Sequence, residues 1–414
     1  RLGWDDDRED HVMDFIDIRR AYFHAAAKRD VFVELPAEDA EEGMCGKLNK
    51  SMYGTRDAAQ NWEAEYTQFM VSIGFKAGRA TPCTFYHEAR DIRAVVHGDD
   101  FTMMGSREAL DWFRARIESK FEIKYKGRMG EQAGDAKSVR VLNRIITWTP
   151  EGAEYESDQR HAEIITKQMG LKLGSNGVVS PGLRAELKDK DVRELGSHEA
   201  SVYRGIVARA NYLGQDRSDI KYAVKELSRH MAKPRMCDVL AAKRLARYLA
   251  GKPRMVNKFA KQSQPQWIEG WSDSDWAGCL ETRKSTSGGL IKWGSHVLKA
   301  WSVTQSVVAL SSGEAEFYAM VKAASQSIGM RVMMEDMGLA SRVKVVNKIK
   351  VVTDATAARG IASRKGLGPV RHIEVNQLWI QDKVGKGEIT VEKVGGTANL
   401  ADALTKFVDG KALA

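Results

Sequence analysis

Residues 94–104 read as a β-hairpin, and the tip of that hairpin constrains the fold more than any other stretch. Apolar side chains flank the turn His97-Gly98-Asp99-Asp100 on both sides, the pattern of two short strands around a tight reversal. The tip therefore presents two neighbouring carboxylates. Asp17 ends another β-like run within 12–34, whose pattern suits strand, short helix, strand. Carboxylates at strand ends and turns can converge while the apolar residues around them stay buried. Three that converge repel one another unless cations lie between them. Mg²⁺ takes hard oxygen ligands and also binds phosphates. Two such ions can activate an attacking hydroxyl and steady a leaving group. Taken alone, an Asp-Asp pair is also an ordinary turn.

Around this hairpin, 56–75 reads as a helix, with Trp62, Tyr66, Phe69, Met70 and Ile73 on one stripe. A second helix is expected over 108–121, with Leu110, Phe113, Ile117 and Phe121 on one face. Strand, helix, hairpin, helix in this order fits an α+β unit. Residues 127–137 read as a loop, followed by a strand-like stretch to Trp148, a short helix over 161–169 and a linker over 174–190. A helical block follows. Ile220, Ala223, Val224, Leu227 and Met231 share a face, and 238–249 forms another helix before Gly251 and Pro253.

A further domain begins near 266. Strands are expected over 267–276, 288–293 and 297–303, then a long helix over 314–337 closed by Gly338. A fourth strand at 350–353, a helix to 364, a helical stretch over 373–384, a fifth strand at 388–394 and a short helix at 400–405 complete it. Here Asp273 lies on a strand, Glu316 opens a helix, Asp354 ends a strand and Asp402 begins the last helix. Four carboxylates from four elements can hold two Mg²⁺ across a phosphodiester. Singly, Asp402 is a plausible helix N-cap, Glu316 a first-turn acid favoured by the helix dipole, and Asp354 a turn residue. Asp275 and Glu314 read as flanking or surface acids, and His372 as a core or surface histidine.

The formal net charge is +9. Residues 204–258 hold 14 Lys/Arg against 4 Asp/Glu, a surplus of 10 that suggests a polyanion partner or a solvated helix face. Cys45, Cys83, Cys237 and Cys279 are widely separated and read as buried free thiols. No apolar run is long enough to span a bilayer, and no secretory signal opens the chain, which points to an intracellular site. The first residue is Arg1, as in a processed or truncated piece.

The segment Asp17-Ile18-Arg19-Arg20-Ala21-Tyr22-Phe23, with Val31-Phe32-Val33-Glu34-Leu35-Pro36 downstream, resembles the first catalytic motif of copia-type reverse transcriptases. Lys47-Leu48-Asn49-Lys50-Ser51-Met52-Tyr53-Gly54, followed by Trp62, resembles their second. Phe75, Pro82, Cys83 and Phe85-Tyr86 resemble the lead into the hairpin, and His97-Gly98-Asp99-Asp100 stands at the Tyr-Val-Asp-Asp turn. Trp271-Ser272-Asp273-Ser274-Asp275-Trp276-Ala277-Gly278, Arg283 to Gly288, Val308 to Phe317, Val351 to Asp354, Arg371 to Glu374 and Asn399 to Asp402 resemble the ribonuclease H part of the same elements. Tyr203, Gly205, Ala210 to Leu213, Asp219-Ile220, Tyr222 to Val224, Leu227 to Arg229 and Lys243 to Leu249 are similar to the connection between the two. The resemblance runs from about 12 to 406.

It implies an α+β / α/β multidomain chain. The expected parts are a reverse-transcriptase palm over 11–126 with its fingers missing, a thumb/connection over 127–265, and a ribonuclease H-like domain with a mixed five-stranded sheet over 266–407. Asp17, Asp99 and Asp100 would be the polymerase carboxylates, and Asp273, Glu316, Asp354 and Asp402 those of the nuclease, each set with two Mg²⁺ or Mn²⁺ ions. Tyr22 would be a steric gate, and Tyr53 and Gly54 the floor of a nucleotide pocket. The implied partners are an RNA template, a DNA primer, RNA/DNA hybrid, dNTPs and other Pol or Gag products, with no membrane. The implied location is cytoplasmic, in a virus-like particle, or nuclear. Departures exist. Asp57 and Ala59 replace the family's Gln and Pro, and an added carboxylate near a triphosphate repels it. His97 replaces Tyr, and Gly98 replaces a β-branched residue, which is expected to loosen the hairpin. Two readings stay open: a reverse transcriptase with ribonuclease H, or a decayed or repurposed copy that binds nucleic acid without polymerising, with or without the nuclease.

Overall fold

The computed structural model describes residues 11–174, 177–183, 191–339, 348–408 and 410. The acidic opening and parts of the 174–190 linker lie outside the described residues. The chain forms two compact units, Arg1–Ser138 with Arg331–Lys344, and Val139–Met330 with Val345–Ala414. The stretches read as connection and as the following domain therefore fall mostly within one unit.

In the first unit the order is β1 (Val12–Ile18), β2 (Phe32–Val33), β3 (Gly46–Lys47), α1 (Ala58–Ser72), β4 (Lys76–Ala77), β5 (Thr84–His87), β6 (Ile92–His97), β7 (Asp100–Gly105), α2 (Arg107–Glu118) and β8 (Ile123–Met129). Six strands make one antiparallel sheet, β4-β5-β6-β7-β1-β8, while β2 pairs with β3. Trp62, Tyr66, Phe69 and Met70 of α1 and Leu110, Phe113 and Ile117 of α2 share a buried cluster with Ile16, Phe85, Phe101 and Met103. Each such side chain contributes about 1.5–3 kcal/mol when fully buried. Helix α2 starts where Ser106 Oγ accepts a hydrogen bond from Ala109 N at 3.3 Å, an N-cap that satisfies an otherwise orphaned donor. The expected loop over 127–137 is partly strand, since β8 runs to Met129. The rest is stapled: Arg107 pairs with Asp135, and Lys137 Nζ donates to the carbonyls of Gly130, Glu131 and Gln132.

The second unit contains β9 (Ser138–Val141), β10 (Arg144–Thr149), β11 (Gly152–Glu156), α3 (Gln159–Gln168), α4 (Ser197–Leu213), α5 (Lys221–Ser228), α6 (Met236–Gly251), β12 (Val256–Ala260), β13 (Ile268–Asp275), β14 (Thr286–Trp293), β15 (His296–Thr304), α7 (Ser312–Asp336), β16 (Ile349–Thr353), α8 (Thr356–Ser363), α9 (Trp379–Gly385) and β17 (Ile389–Lys393). Strands β12-β11-β10-β9 form one sheet. Sequence alternation is confined to four residues in β11, Ala153 to Glu156, and is absent from β12, where Asn257 and Lys258 are adjacent; their mutual pairing makes them strands. Helices α3 to α6 enclose a core of Ile165, Tyr203, Ile206, Val224, Leu245 and Leu249. The second sheet is mixed, in the order β15-β14-β13-β16-β17. Its first three strands are antiparallel, and β13-β16-β17 are parallel. The five strands expected after 266 are all present, while the last expected helix is a short 3₁₀ turn, Asp402–Leu404.

All four cysteines are free, but only Cys279 is buried; Cys83 and Cys237 are half-buried and Cys45 is exposed, which corrects the reading of all four as buried and most of all that of Cys45. It lies just before the two-residue strand β3, outside both helix-covered cores. Among the described residues no helix is long and apolar enough to cross a membrane.

Candidate active site

The β1–β7 register sets Asp17 directly opposite Asp100. Ile18 N donates to the Asp99 carbonyl at 2.9 Å, while the Asp99 side chain stays exposed at the tip. On β8, Ile123 and Tyr125 pack on the core, and alternation turns Lys124 and Lys126 to the opposite face. Lys126 Nζ lies 2.9 Å from Asp17 Oδ2 and 2.6 Å from Asp100 Oδ1. Burial pulls this amine's pKa down, but the hydrogen bonds it donates to Asp100 and Asp17 outweigh it and leave the pKa raised. An ammonium thus spans the two acids expected to hold a divalent ion. Sequence reading missed Lys126; its alternation with Ile123 and Tyr125 was the available signal.

The expected loosening at Gly98 is not what the fold shows. His97 and Asp100 pair across a two-residue turn, and Gly98 has φ +64 while Asp99 does not adopt a positive φ. A positive φ at the first central position alone is the type II′ pattern, for which glycine is suited. Trp62 Nε1 donates to the Gly98 carbonyl at 2.8 Å and anchors the turn. The repulsion expected from Asp57 is also offset: Arg29 Nη2 lies 2.7 Å from Asp57 Oδ1. That hydrogen bond holds the Asp57 carboxyl down at about 2, against partial desolvation. Tyr22, in the 3₁₀ turn Ala21–His24, stacks on Tyr53 with ring centroids 4.3 Å apart. Gly54 follows at φ +91 with open space where a Cβ would stand, so its backbone conformation, and not crowding, favours glycine.

In the second unit, Asp273 on β13, Glu316 in the first turns of α7 and Asp354 just after β16 bring one ligand atom each within 4.8 Å of one another. They are the one such group among the described residues. Ser274 N donates to Glu316 Oε1 at 3.2 Å, and Glu316 Oε2 is buried without a hydrogen-bond partner. Burial, then the charges of Asp273 and Asp354, pushes the Glu316 carboxyl up to about 9. Burial also raises Asp273, to about 6; the Thr405 hydroxyl opposes this, and Asp402 and Asp354 reinforce it. Hard oxygens crowded together, one of them orphaned, fit a divalent cation.

Asp402 stands outside the trio. It pairs with Lys406, yet lies near enough to raise Asp273. The turn that carries it is seated by Gly288, the register partner of Asp273. A Cβ on Gly288 would come within 2.6 Å of Thr405 and 2.9 Å of Leu404. Asn399 Nδ2 donates to the Ser272 carbonyl at 3.0 Å. Asn399, named in the sequence only as part of the stretch ending at Asp402, and Thr405, not named there, hold Asp273 from this segment. Glu314 is buried and accepts from Leu310 N at 2.9 Å, and it lies 2.7 Å from His372 Nε2. It braces the strand-to-helix junction and does not join the trio. Asp275 accepts from Thr286 N.

Several cations of the basic stretch 204–258 are paired within the fold. Arg217 is 1% exposed and bonded to Asp219 and to the carbonyls of Lys252 and Pro253. Lys225, Arg229, Arg235 and Arg254 also form ion pairs with acids. The acids of the stretch itself are already subtracted in the surplus of 10; among the described residues only Arg235 with Glu281, Arg254 with Glu156 and Lys258 with Glu154 draw on acids from outside it, so most of the surplus remains.

The model of the family described as reverse transcriptase (RNA-dependent DNA polymerase) matches residues 6–136. The retrovirus-related Pol polyprotein from transposon TNT 1-94 of Nicotiana tabacum is 26% identical over 408 residues, covering 95% of this chain and 29% of that protein. The Pol polyprotein from transposon RE1 of Arabidopsis thaliana is 25% identical, covering 94% of this chain and 26% of that protein. The chain thus spans less than a third of the length of these relatives. An uncharacterized mitochondrial protein of Arabidopsis thaliana is 34% identical over 233 residues, 56% of this chain and 91% of that protein. Among solved structures, the foamy viral protease-reverse transcriptase in complex with RNA/DNA hybrid has a TM-score of 0.49 at 10% identity, over 95% of this chain and 45% of that one. The chain belongs to the reverse transcriptase-like family of Pol polyproteins from copia-type transposons.

Proposed function

We propose that this chain is the polymerase and ribonuclease H portion of a transposon Pol polyprotein, and that it hydrolyses the RNA strand of RNA/DNA hybrids. In this reading the six-stranded sheet with α1 and α2 is a palm. Helices α3 to α6 belong to a thumb/connection, and β13 to β17 to a ribonuclease H-like domain. The protein acts inside the cell, in the cytoplasm or nucleus.

The observation that carries the reading is the convergence of Asp273, Glu316 and Asp354 around an unpartnered Glu316 oxygen. Those three residues would hold Mg²⁺ or Mn²⁺, with Asp402 at the edge. Bound there, the ions supply Lewis acidity to a water nucleophile and to the leaving 3′-oxygen. The chain's own contribution is placement. Ser274 N orients one Glu316 oxygen, while Thr405 and Asn399 fix Asp273. The test is cleavage of a labelled RNA/DNA hybrid with Mg²⁺ or Mn²⁺, with Asp273→Asn as control. Cleavage by the native chain that the variant loses supports the reading; cleavage equal in both overturns it.

The family also implies DNA synthesis on an RNA template from dNTPs, at Asp17, Asp99 and Asp100 with Tyr22, Tyr53 and Gly54 lining the nucleotide pocket. A second reading, a nuclease that does not polymerise, is favoured by the Lys126 bridge across Asp17 and Asp100. Primer extension on the same hybrid distinguishes the two.

A further inference from the structure

We propose that Lys126 is a built-in counter-ion that occupies the cation position between Asp17 and Asp100, so that divalent ions load at Asp273, Glu316 and Asp354 and not at the first acidic site. The inference rests on reading Asp17 and Asp100 as a polymerase metal pair, and it concerns which of the two sites can be loaded.

The bridge is built by strand geometry. The β1–β8 register shifts between Phe15 and Ile16, pairing Ile16 with Tyr125 and Phe15 with Gly127. Lys126 is the extra residue of this bulge, and a bulge re-aims a side chain. Gly127 takes φ +127, a conformation L side chains rarely adopt. The strand is clamped on both sides of Lys126. Tyr125 packs on the buried cluster, with the Arg114 guanidinium 4.7 Å from its ring centroid. Arg128 grips the buried Asp14 through Nε–Oδ1 at 2.7 Å and Nη2–Oδ2 at 2.8 Å, and also reaches Asp111 at 2.8 Å. Strand pairing and clamps together fix where the amine emerges.

A divalent ion entering between Asp17 and Asp100 must break two charge-assisted hydrogen bonds and then sit beside the displaced ammonium. The second site differs in the decisive respect. Among the described residues no ion pair reaches Asp273, Glu316 or Asp354, and the nearby Lys406 is engaged by Asp402.

With hydrogen peroxide and ascorbate supplied, Fe²⁺ substituted for Mg²⁺ is oxidised to Fe³⁺ as peroxide is split into hydroxide and a hydroxyl radical that cuts the backbone beside the bound ion, so cleavage mapping reads loading without requiring activity. The native full chain should be cut near 273, 316 and 354 and not near 17 and 100. Lys126→Met and Lys126→Gln should add cuts near 17 and 100, and Asp17→Asn in the Lys126→Met background should remove them. Mn²⁺ titration should show at least a tenfold gain in affinity at the added site. Cuts near 17 and 100 in the native chain overturn the proposal. So does their absence from folded Lys126→Met or Lys126→Gln protein. If neither variant folds, the native pattern alone decides. Missing cuts near 273 strike at the nuclease reading, a result separable from either outcome at Lys126.

Discussion

Replacing Glu316 by Gln should stabilise the metal-free protein at neutral pH while removing its response to divalent ions. Burial and the neighbouring Asp273 and Asp354 push Glu316 from 4.5 to about 9. Below about pH 4.5 the carboxyl is protonated in both folded and unfolded chains and costs nothing. As pH rises towards 9 only the unfolded chain releases the proton, so the folded state loses ground steadily. At about 1.4 kcal/mol per pH unit, the interval from 4.5 to 7 corresponds to roughly 3 kcal/mol. The site is partly open to water, and roughly 2–3 kcal/mol is expected. Gln cannot ionise and escapes this loss. Urea unfolding in chelator, followed through the transition of the unit that carries β13 to β17, measures the difference between Glu316→Gln and the native chain. It should be near zero at pH 4.5 and grow to this value by pH 7. Added Mg²⁺ should then raise the stability of the native chain more than that of the variant, since a ligand that binds only the folded state stabilises it by mass action. A difference that does not change with pH, or a variant less stable than the native chain at pH 8, would refute the reasoning.

Three further outcomes are expected. Asp273→Asn should reduce hybrid cleavage to background while leaving hybrid binding in a filter assay unchanged, because it removes a ligand without altering the surrounding surface. Arg217→Met should cost roughly 3–5 kcal/mol in chemical denaturation, because Asp219 would be left as an uncompensated partly buried charge beside the Tyr248 hydroxyl that donates to it at 2.8 Å. Gly98→Val should destabilise the first unit by about 1–3 kcal/mol through the strained positive φ, read as a lower urea midpoint for that unit.

The elements that sequence made legible are those with strong periodicity or punctuation. The hairpin tip, the stripe from Trp62 to Met70 and the strands around Asp273 stand where their apolar patterns put them. The short strands β11 and β12 were not legible, because they are polar and are defined by each other's hydrogen bonds. The charge count over 204–258 gives the net surplus but not which of its cations face water. A lysine or arginine reads the same in sequence whether it faces water or, like Arg217, lies sealed in the core. In the site, the convergence of Asp273, Glu316 and Asp354 could be anticipated from strand ends and helix starts. The parts that hold it, Asn399 and Thr405, come from a segment whose position depends on tertiary closure. The alternation of Lys126 with Ile123 and Tyr125 marks the face it takes, but which acids it meets there depends on the β1–β8 and β1–β7 registers, which have no signature in the sequence.

The seat of Asp273 has a kinetic side. Its hydrogen bond to Thr405 joins residues 132 positions apart in the chain, and most of that span also contains the parallel pairing of β13 with β16, from Ile268 to Ile349. Closing loops of that length costs entropy before any contact rewards it. During refolding, helical signal should therefore return well before hybrid-cutting competence, with the carboxylate pocket among the last features to mature.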